Sequence, residues 1–247
     1  MSPSPTPSSA ESIRRAGPPA AVAAILPDLL AGREPEGISV LKPGAVFQLH
    51  TGEGSKDLIV KLYKRSPKLR AKLQPPGAKR AVDAYLRLLP VPSPAPVYWD
   101  KLDHPAYRSV LVYEYAEGPT LHQLWKQDNP QAIEALPALL AATYKTGLLH
   151  GDLHGRNLVW AEDRWMVLDL DSIRSGLHAV RRRAIWERTW ARLLFDFAGS
   201  PRGKELFARF LDLAGLTWSI EESWKRVLSI YEEICAVHLA ADLHPGD

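Results

Sequence analysis

Residues 150–157 read HGDLHGRN, and residues 167–172 read VLDLDS; these two short stretches decide how the chain is read. Asp152 is a carboxylate on a glycine-punctuated loop. Asn157 and Asp169 carry hard oxygen donors of the kind that suits magnesium. Leu158, Val159 and Trp160 read as a short strand, Trp165 to Leu168 as its hairpin partner, and Ala161-Glu162-Asp163 as the turn. Such a hairpin brings Asn157 and Asp169 together from two segments. Asp171 follows Asp169 by two, so on a strand both side chains point the same way and either is a metal ligand in principle. Asp169, directly after the apolar run, is preferred.

This set of residues suits transfer of a phosphoryl group, which needs little covalent help but does need an aligned hydroxyl and neutralised phosphate charge. Asp152 is the candidate to accept a hydrogen bond from the acceptor hydroxyl. His150, just before it, is expected to pack and hydrogen-bond so that the loop holds its shape. Loops rich in Asp, Asn and Gly often serve only as turns; the spacing of the whole set points to chemistry. His150 and His154 are four apart, but on a turn-forming loop rather than a helix face, which excludes the zinc spacing.

HGDLHGRN followed by VLDLDSIR resembles the bacterial lipopolysaccharide kinases of the Kdo and heptose kinase type, over roughly residues 37 to 215. Aminoglycoside and choline kinases share similar signatures more distantly. The resemblance implies an α+β, bilobal protein-kinase-like fold with a small β-rich N-lobe and a mainly α-helical C-lobe. It implies ATP and Mg2+ as cofactors, Asp152 as catalytic base, and Asn157 and Asp169 as metal ligands. His154 stands where many protein kinases carry a lysine that contacts the γ-phosphate, so it either donates a hydrogen bond there or places the loop.

Upstream, Ala45 to His50 and Asp57 to Tyr63 read as two strands joined by the turn TGEGS. Lys61, flanked by Ile59, Val60 and Leu62, can extend its ammonium toward the α- and β-phosphates while its stem packs. Lys64 is the competitor, but it lies on the opposite side of the strand and near an exposed turn. Kinases usually steady that lysine with a glutamate on the next helix; AKRAVDAYLRLL offers only Asp83, a shorter side chain. The phosphate-covering loop LKPGAVF carries a single Gly44 instead of a glycine-rich run. The prolines of PVPSPAPVYWD fix an extended connector, and SVLVYEYAEG gives a buried strand ending at a hinge. By resemblance Tyr113 is the gatekeeper, Glu114 and Ala116 offer backbone groups to adenine, and Gly118 ends the hinge.

The expected organisation is a disordered tail over 1–18, rich in Ser, Pro and Ala, then a nucleotide-binding lobe with a leading helix over 19–116, and a catalytic lobe over 117–247. ALPALLAATYKTGLLH and three amphipathic stretches after the metal segment read as helices. AAVAAILPDLLAG is too short and too interrupted to cross a bilayer and lacks a secretory signal's flanks. The single Cys235 permits no internal disulfide. A cytoplasmic protein is therefore expected, with peripheral contact at the inner face of the membrane as an option. The net charge of +3 is mild, but Lys61, Lys64, Arg65, Lys68, Arg70, Lys72, Lys79 and Arg80 follow one another without an intervening acid. Such a face either is simply solvated or attracts anionic headgroups, each basic residue contributing about 1 kcal/mol. Nucleic acid is not expected as a partner, because no nucleic-acid motif accompanies the charge.

A second cluster, Arg181 to Arg183 with Arg188 and Arg192, falls where an acceptor should dock, and arginine forks suit carboxylate and phosphate. Trp186 and Trp190, four apart on the same helix, read as core. SIRSGLHAV is too short for the peptide-binding loop of protein kinases and leaves room for a sugar or small headgroup. The expected activity is transfer of the ATP γ-phosphoryl group to a sugar hydroxyl of a lipopolysaccharide-type glycolipid. The alternatives are a kinase-like scaffold that binds nucleotide without turnover, and a protein Ser/Thr/Tyr kinase.

Overall fold

The computed structural model describes residues 9–52, 54–66, 74–174, 179–196 and 201–243. The chain divides into two compact units. The first holds residues 1–89, 93–116 and 169–171, and the second holds 90–92, 117–168 and 172–247.

The first unit is built on a five-stranded antiparallel sheet of order β1-β2-β3-β5-β4. Its strands are β1 (Ile38–Lys42), β2 (Val46–Leu49), β3 (Leu58–Lys64), β4 (Pro96–Lys101) and β5 (Tyr107–Glu114). Alternation decides which side chains face the core. Val60 and Leu62 of β3, paired with Phe47 and with Val110 and Val112, join Val22 and Leu29 of helix α2 (Ala20–Leu30) in one buried cluster. Ile59, Lys61 and Tyr63 therefore point to the other face of β3. Two strands lie where the sequence showed less. β1 was not expected, and β4 occupies the second half of the proline-rich connector. Pro96 opens β4 as its first residue, a place where a missing N–H is tolerated in a sheet.

The composition assigned residues 10–15 to a disordered tail, but they form helix α1 (Ala10–Arg15). Ser9 caps it by accepting from the Ser12 N–H at 3.2 Å. Ile13 is buried against the sheet unit. The Trp99 indole N–H donates to the Ala10 carbonyl at 2.6 Å, and Arg14 pairs with Asp100 at 2.6 Å. These long-range anchors on β4, invisible to local composition, order the segment. Residues 1–8 of that tail, and Lys68, Arg70 and Lys72 of the basic run, lie outside the described residues. After β3 comes helix α3 (Gly77–Arg87).

The second unit is mainly helical: α4 (Leu121–Lys126), α5 (Pro130–Lys145), α6 (Ala179–Asp196), α7 (Pro201–Ala214) and α8 (Ile220–Leu243). Two small ladders accompany them. β6 (Leu149–His150) pairs with β9 (Ile173–Arg174), and β7 (Leu158–Ala161) pairs with β8 (Arg164–Val167) in the expected hairpin. Trp186 and Trp190 are fully buried, as core residues. Trp186 stacks on Phe210 at 5.2 Å and Trp190 meets Phe207 edge-on at 5.4 Å, which locks α6 to α7. Among the described residues no helix is long and apolar enough to cross a membrane.

Gly118 lies directly against the hairpin. A Cβ there would fall 2.0 Å from the Trp160 carbonyl oxygen, while the Trp160 N–H already donates to Pro119 O at 2.9 Å. Both are backbone atoms, so neither can swing aside. Gly118→Ala should cost about 1–3 kcal/mol of stability, read as a lowered urea midpoint with an unchanged m-value.

Candidate functional site

In the second unit the loop that follows β6 is organised by a buried imidazole. His150 is 4% exposed. Its Nε2 lies 2.8 Å from the Leu168 carbonyl and donates to it. That tautomer leaves Nδ1 to accept from the Asp152 N–H at 3.2 Å and the Ser172 hydroxyl at 3.1 Å. One side chain thus holds the loop, the end of the hairpin and the entry to β9. This is the positioning part expected of His150.

Asn157 ends the short 3-10 turn Gly155–Asn157. Its side-chain Nδ2 donates to the Asp152 carbonyl at 2.8 Å, and its own carbonyl accepts from the Leu168 N–H at 2.9 Å. The amide is therefore fixed with its nitrogen turned to the loop, leaving Oδ1 as the end able to meet a cation. His154 caps the same turn, accepting from the Arg156 N–H at 3.2 Å through Nδ1, with Nε2 3.9 Å from Asp152 Oδ2. Both of these contacts are with the loop itself. The Asp152 carboxylate is half exposed and pairs with Arg192 of α6 at 2.9 Å. The same guanidinium nitrogen also donates to the Gly151 carbonyl at 3.2 Å.

The other arginines of α6 are engaged differently. Arg182 donates to the Tyr144 carbonyl at 2.8 Å and sits over the Tyr144 ring. Arg183 pairs with the buried Glu187 at 2.9 Å and donates to Ser223 at 2.9 Å. These two hold helices together and do not form an anion-binding cluster. Arg188 is exposed, and the side chain of Arg181 lies outside the described residues.

In the first unit the Lys61 ammonium forms a short ion pair with the Asp169 carboxylate, and Asp171 Oδ2 lies 3.4 Å from the same nitrogen. The Tyr63 ring, two residues along the same strand face, lies 5.1 Å from the ammonium. Asp169 takes a left-handed backbone, φ +57°, as the chain turns out of the hairpin. Burial raises the Asp171 carboxyl above its ordinary value; the Lys61 ammonium opposes that shift and the Asp169 charge adds to it. Burial, and then the Asp171 charge, push the Tyr63 hydroxyl well above the usual phenol range. The Tyr113 hydroxyl is raised by burial first and by the charges of Asp169 and Asp171 next.

Three expected binding residues require correction or restriction. Asp83 does not serve Lys61. It accepts from Lys79 one helical turn earlier at 2.6 Å, both side chains being about two-fifths exposed, because so short a carboxylate reaches its i,i−4 neighbour first. Gly44 is the left-handed residue of the β1–β2 turn, with its carbonyl held by the Tyr107 hydroxyl at 3.1 Å and Lys64 as its nearest cation. It makes a tight turn and not a glycine-rich loop. At the hinge, Glu114 donates its N–H to Ala95 O at 3.1 Å and Tyr115 donates to Asp57 O at 2.8 Å, so the ladder ends just before Ala116. The Glu114 N–H is thereby unavailable to adenine. Tyr63, Ser172 and the pairing of Arg192 with Asp152 were not assigned from the sequence, and Asp171 was named there only as an alternative metal ligand, not as a partner of Lys61. The alternation of Lys61 with Tyr63 and of Asp169 with Asp171 was the available signal.

Residues 119–180 match the model of the phosphotransferase enzyme family, APH. No curated protein matches the sequence. Among solved structures the chain is similar to monomeric WbdD, at 15% identity and a TM-score of 0.46, covering 76% of this chain and 45% of that one. It is similar to WbdD bound to the kinase inhibitor LY294002, at 15% identity and TM-score 0.43, covering 76% and 43%. It is also similar to the bifunctional kinase-methyltransferase WbdD, at 14% identity and TM-score 0.43, covering 76% and 47%. The chain thus spans less than half the length of the solved proteins it matches.

Replacing His150 removes the common partner of Leu168 O, the Asp152 N–H and the Ser172 hydroxyl. His150→Ala should lower stability by about 2–4 kcal/mol, measured by chemical denaturation. It should also raise amide hydrogen exchange at Asp152 more than at residues of α7.

Proposed function

We propose that this protein is an ATP-dependent, protein-kinase-like phosphotransferase that passes the γ-phosphoryl group to a sugar hydroxyl, with a lipopolysaccharide-type glycolipid carrying Kdo or heptose as acceptor. The observation that carries the reading is the loop locked by His150, which holds Asp152 and the Asn157 amide at fixed positions beside each other. Pre-set groups of this kind are what phosphoryl transfer draws on, since positioning and charge stabilisation dominate its catalysis.

In this reading Asp152 accepts the proton of the acceptor hydroxyl, and its pairing with Arg192 at 2.9 Å orients the carboxylate. Lys61 holds the nucleotide phosphates. His154 keeps the loop in shape, and the Glu114 carbonyl together with backbone groups at Ala116 meets the adenine edge. Asn157 and Asp169 fit magnesium by chemistry: each presents a hard oxygen, and magnesium takes only one or two protein ligands when phosphates and water complete its shell. When bound, the ion would neutralise phosphate charge.

The acceptor is assigned from the resemblance of HGDLHGRN and VLDLDSIR to lipopolysaccharide kinases and from the short segment after Asp171. A glycolipid acceptor would be met at the inner face of the cell membrane, where exposed basic residues such as Lys64 attract anionic headgroups.

Labelled γ-phosphate from magnesium-ATP, offered to separated glycolipid, small-sugar and protein fractions of the source cell, should enter glycolipid or sugar. Asp152→Ala should lower that transfer by at least about 100-fold with its melting temperature unchanged. Label in protein alone would identify a protein kinase, and label nowhere would leave a nucleotide-binding scaffold.

A further inference from the structure

We propose that Asp171 is the positioning residue of Lys61, performing from the metal-bearing segment the task that kinases usually give to a carboxylate on the helix after β3. The proposal rests on the phosphotransferase reading above, which gives Lys61 its phosphates.

The helix after β3 is α3, and its one acid, Asp83, is directed to Lys79 on the helix surface. Among the described residues the ion-pair partners of Lys61 are Asp169 and Asp171. Those two carboxylates cannot be equivalent once a cation is bound. A carboxylate that ligates magnesium has given its charge to the metal, so Asp169 then holds the ammonium less strongly. Asp171 remains. It lies 3.4 Å from Lys61 Nζ, and both side chains are 19% exposed, against 35% for Asp169, so this pair is the more shielded from solvent. Water screening therefore weakens it less.

The lysine stem has freedom that must be restrained if its ammonium is to meet phosphate in one geometry. Asp171 restrains it from one direction and the Tyr63 ring, 5.1 Å from the ammonium, from another. Asp171 sits in the short 3-10 turn Leu170–Ser172 that directly follows Asp169. Lysine orientation and metal ligation are thereby fixed by one three-residue piece of backbone. A helix that must move to deliver its acid is not required in such an arrangement.

A double-mutant cycle on the full chain tests this, with the dissociation constant for magnesium-ATP measured by titration calorimetry. Asp171→Asn should weaken binding roughly tenfold, and the Asp171→Asn, Lys61→Ala double variant should bind no more weakly than Lys61→Ala alone, because coupled residues are not additive. Asp171→Glu, which keeps the charge, should recover most of the affinity. Unchanged affinity in Asp171→Asn overturns the proposal. So do losses that multiply in the double variant, since they would make Asp171 a metal ligand acting independently of Lys61. If Asp171→Asn does not fold, Asp171→Ser takes its place in the cycle. Failure of the unmodified chain to bind magnesium-ATP overturns the phosphotransferase reading and the proposal with it, whereas binding that ignores Asp171 overturns the proposal alone.

Discussion

A single buried imidazole sets the conformation of the loop on which the proposed chemistry depends. His150 has no room to be unpaired, because a polar ring in a dry environment destabilises the fold unless both nitrogens are satisfied. Its two nitrogens meet Leu168 O on one side and the Asp152 N–H and Ser172 hydroxyl on the other. The three partners come from the loop after β6, the residue after β8 and the residue before β9. The requirement to satisfy one ring therefore closes the loop onto the hairpin, and the Leu168 to Asn157 backbone bond completes the closure. Asp152 itself makes little demand on the core, so its carboxylate can stay half exposed and accessible.

The sheet unit solves a related problem for an ammonium. Lys61 lies on a strand whose alternate residues, Val60 and Leu62, are core. Its position on the other face follows from the pleat, but its charge then needs a counter-ion in a partly buried setting. Two carboxylates, Asp169 and Asp171, supply it, and the Tyr63 ring lies 5.1 Å from the ammonium. The raised carboxyl of Asp171 is the expected consequence: two acids and one base share a small volume, and burial disfavours the second negative charge.

What the sequence disclosed and what it concealed follow from the range of the interactions. The hairpin from Leu158 to Val167 was legible because apolar runs, a polar turn and period-two alternation are local signals. So was the burial of Trp186 and Trp190, four apart on one helix face. α1 was not legible, since its order comes from Trp99 and Asp100, nearly ninety residues away in the chain. β4 was masked by the prolines around it, although Pro96 opens an edge strand, where a missing N–H is tolerated. Asp83 illustrates the reverse error. It was the only acid at hand on the expected helix, but a helix also places Lys79 one turn away, and the nearer partner wins.

The arginines of α6 show why a charge cluster in sequence cannot be equated with a binding surface. Consecutive residues on a helix point in different directions, about 100° apart. Arg182 and Arg183 consequently face the helical core, where Tyr144, Glu187 and Ser223 occupy their donors. Glu187 is nearly fully buried, so removing Arg183 would leave it only the exposed Arg226, 4.0 Å away; Arg183 belongs to stability. Arg192 lies nine to ten residues further along, on a side of the helix where it meets Gly151 and Asp152 instead. Its proximity to the proposed base gives it an influence on an acceptor that its neighbours in sequence lack. An anionic group beside the accepting hydroxyl would have to engage Arg192 while Asp152 remains free to take the proton. On the proposed reading, the ion pair between those two residues is the contact that a bound acceptor would have to share.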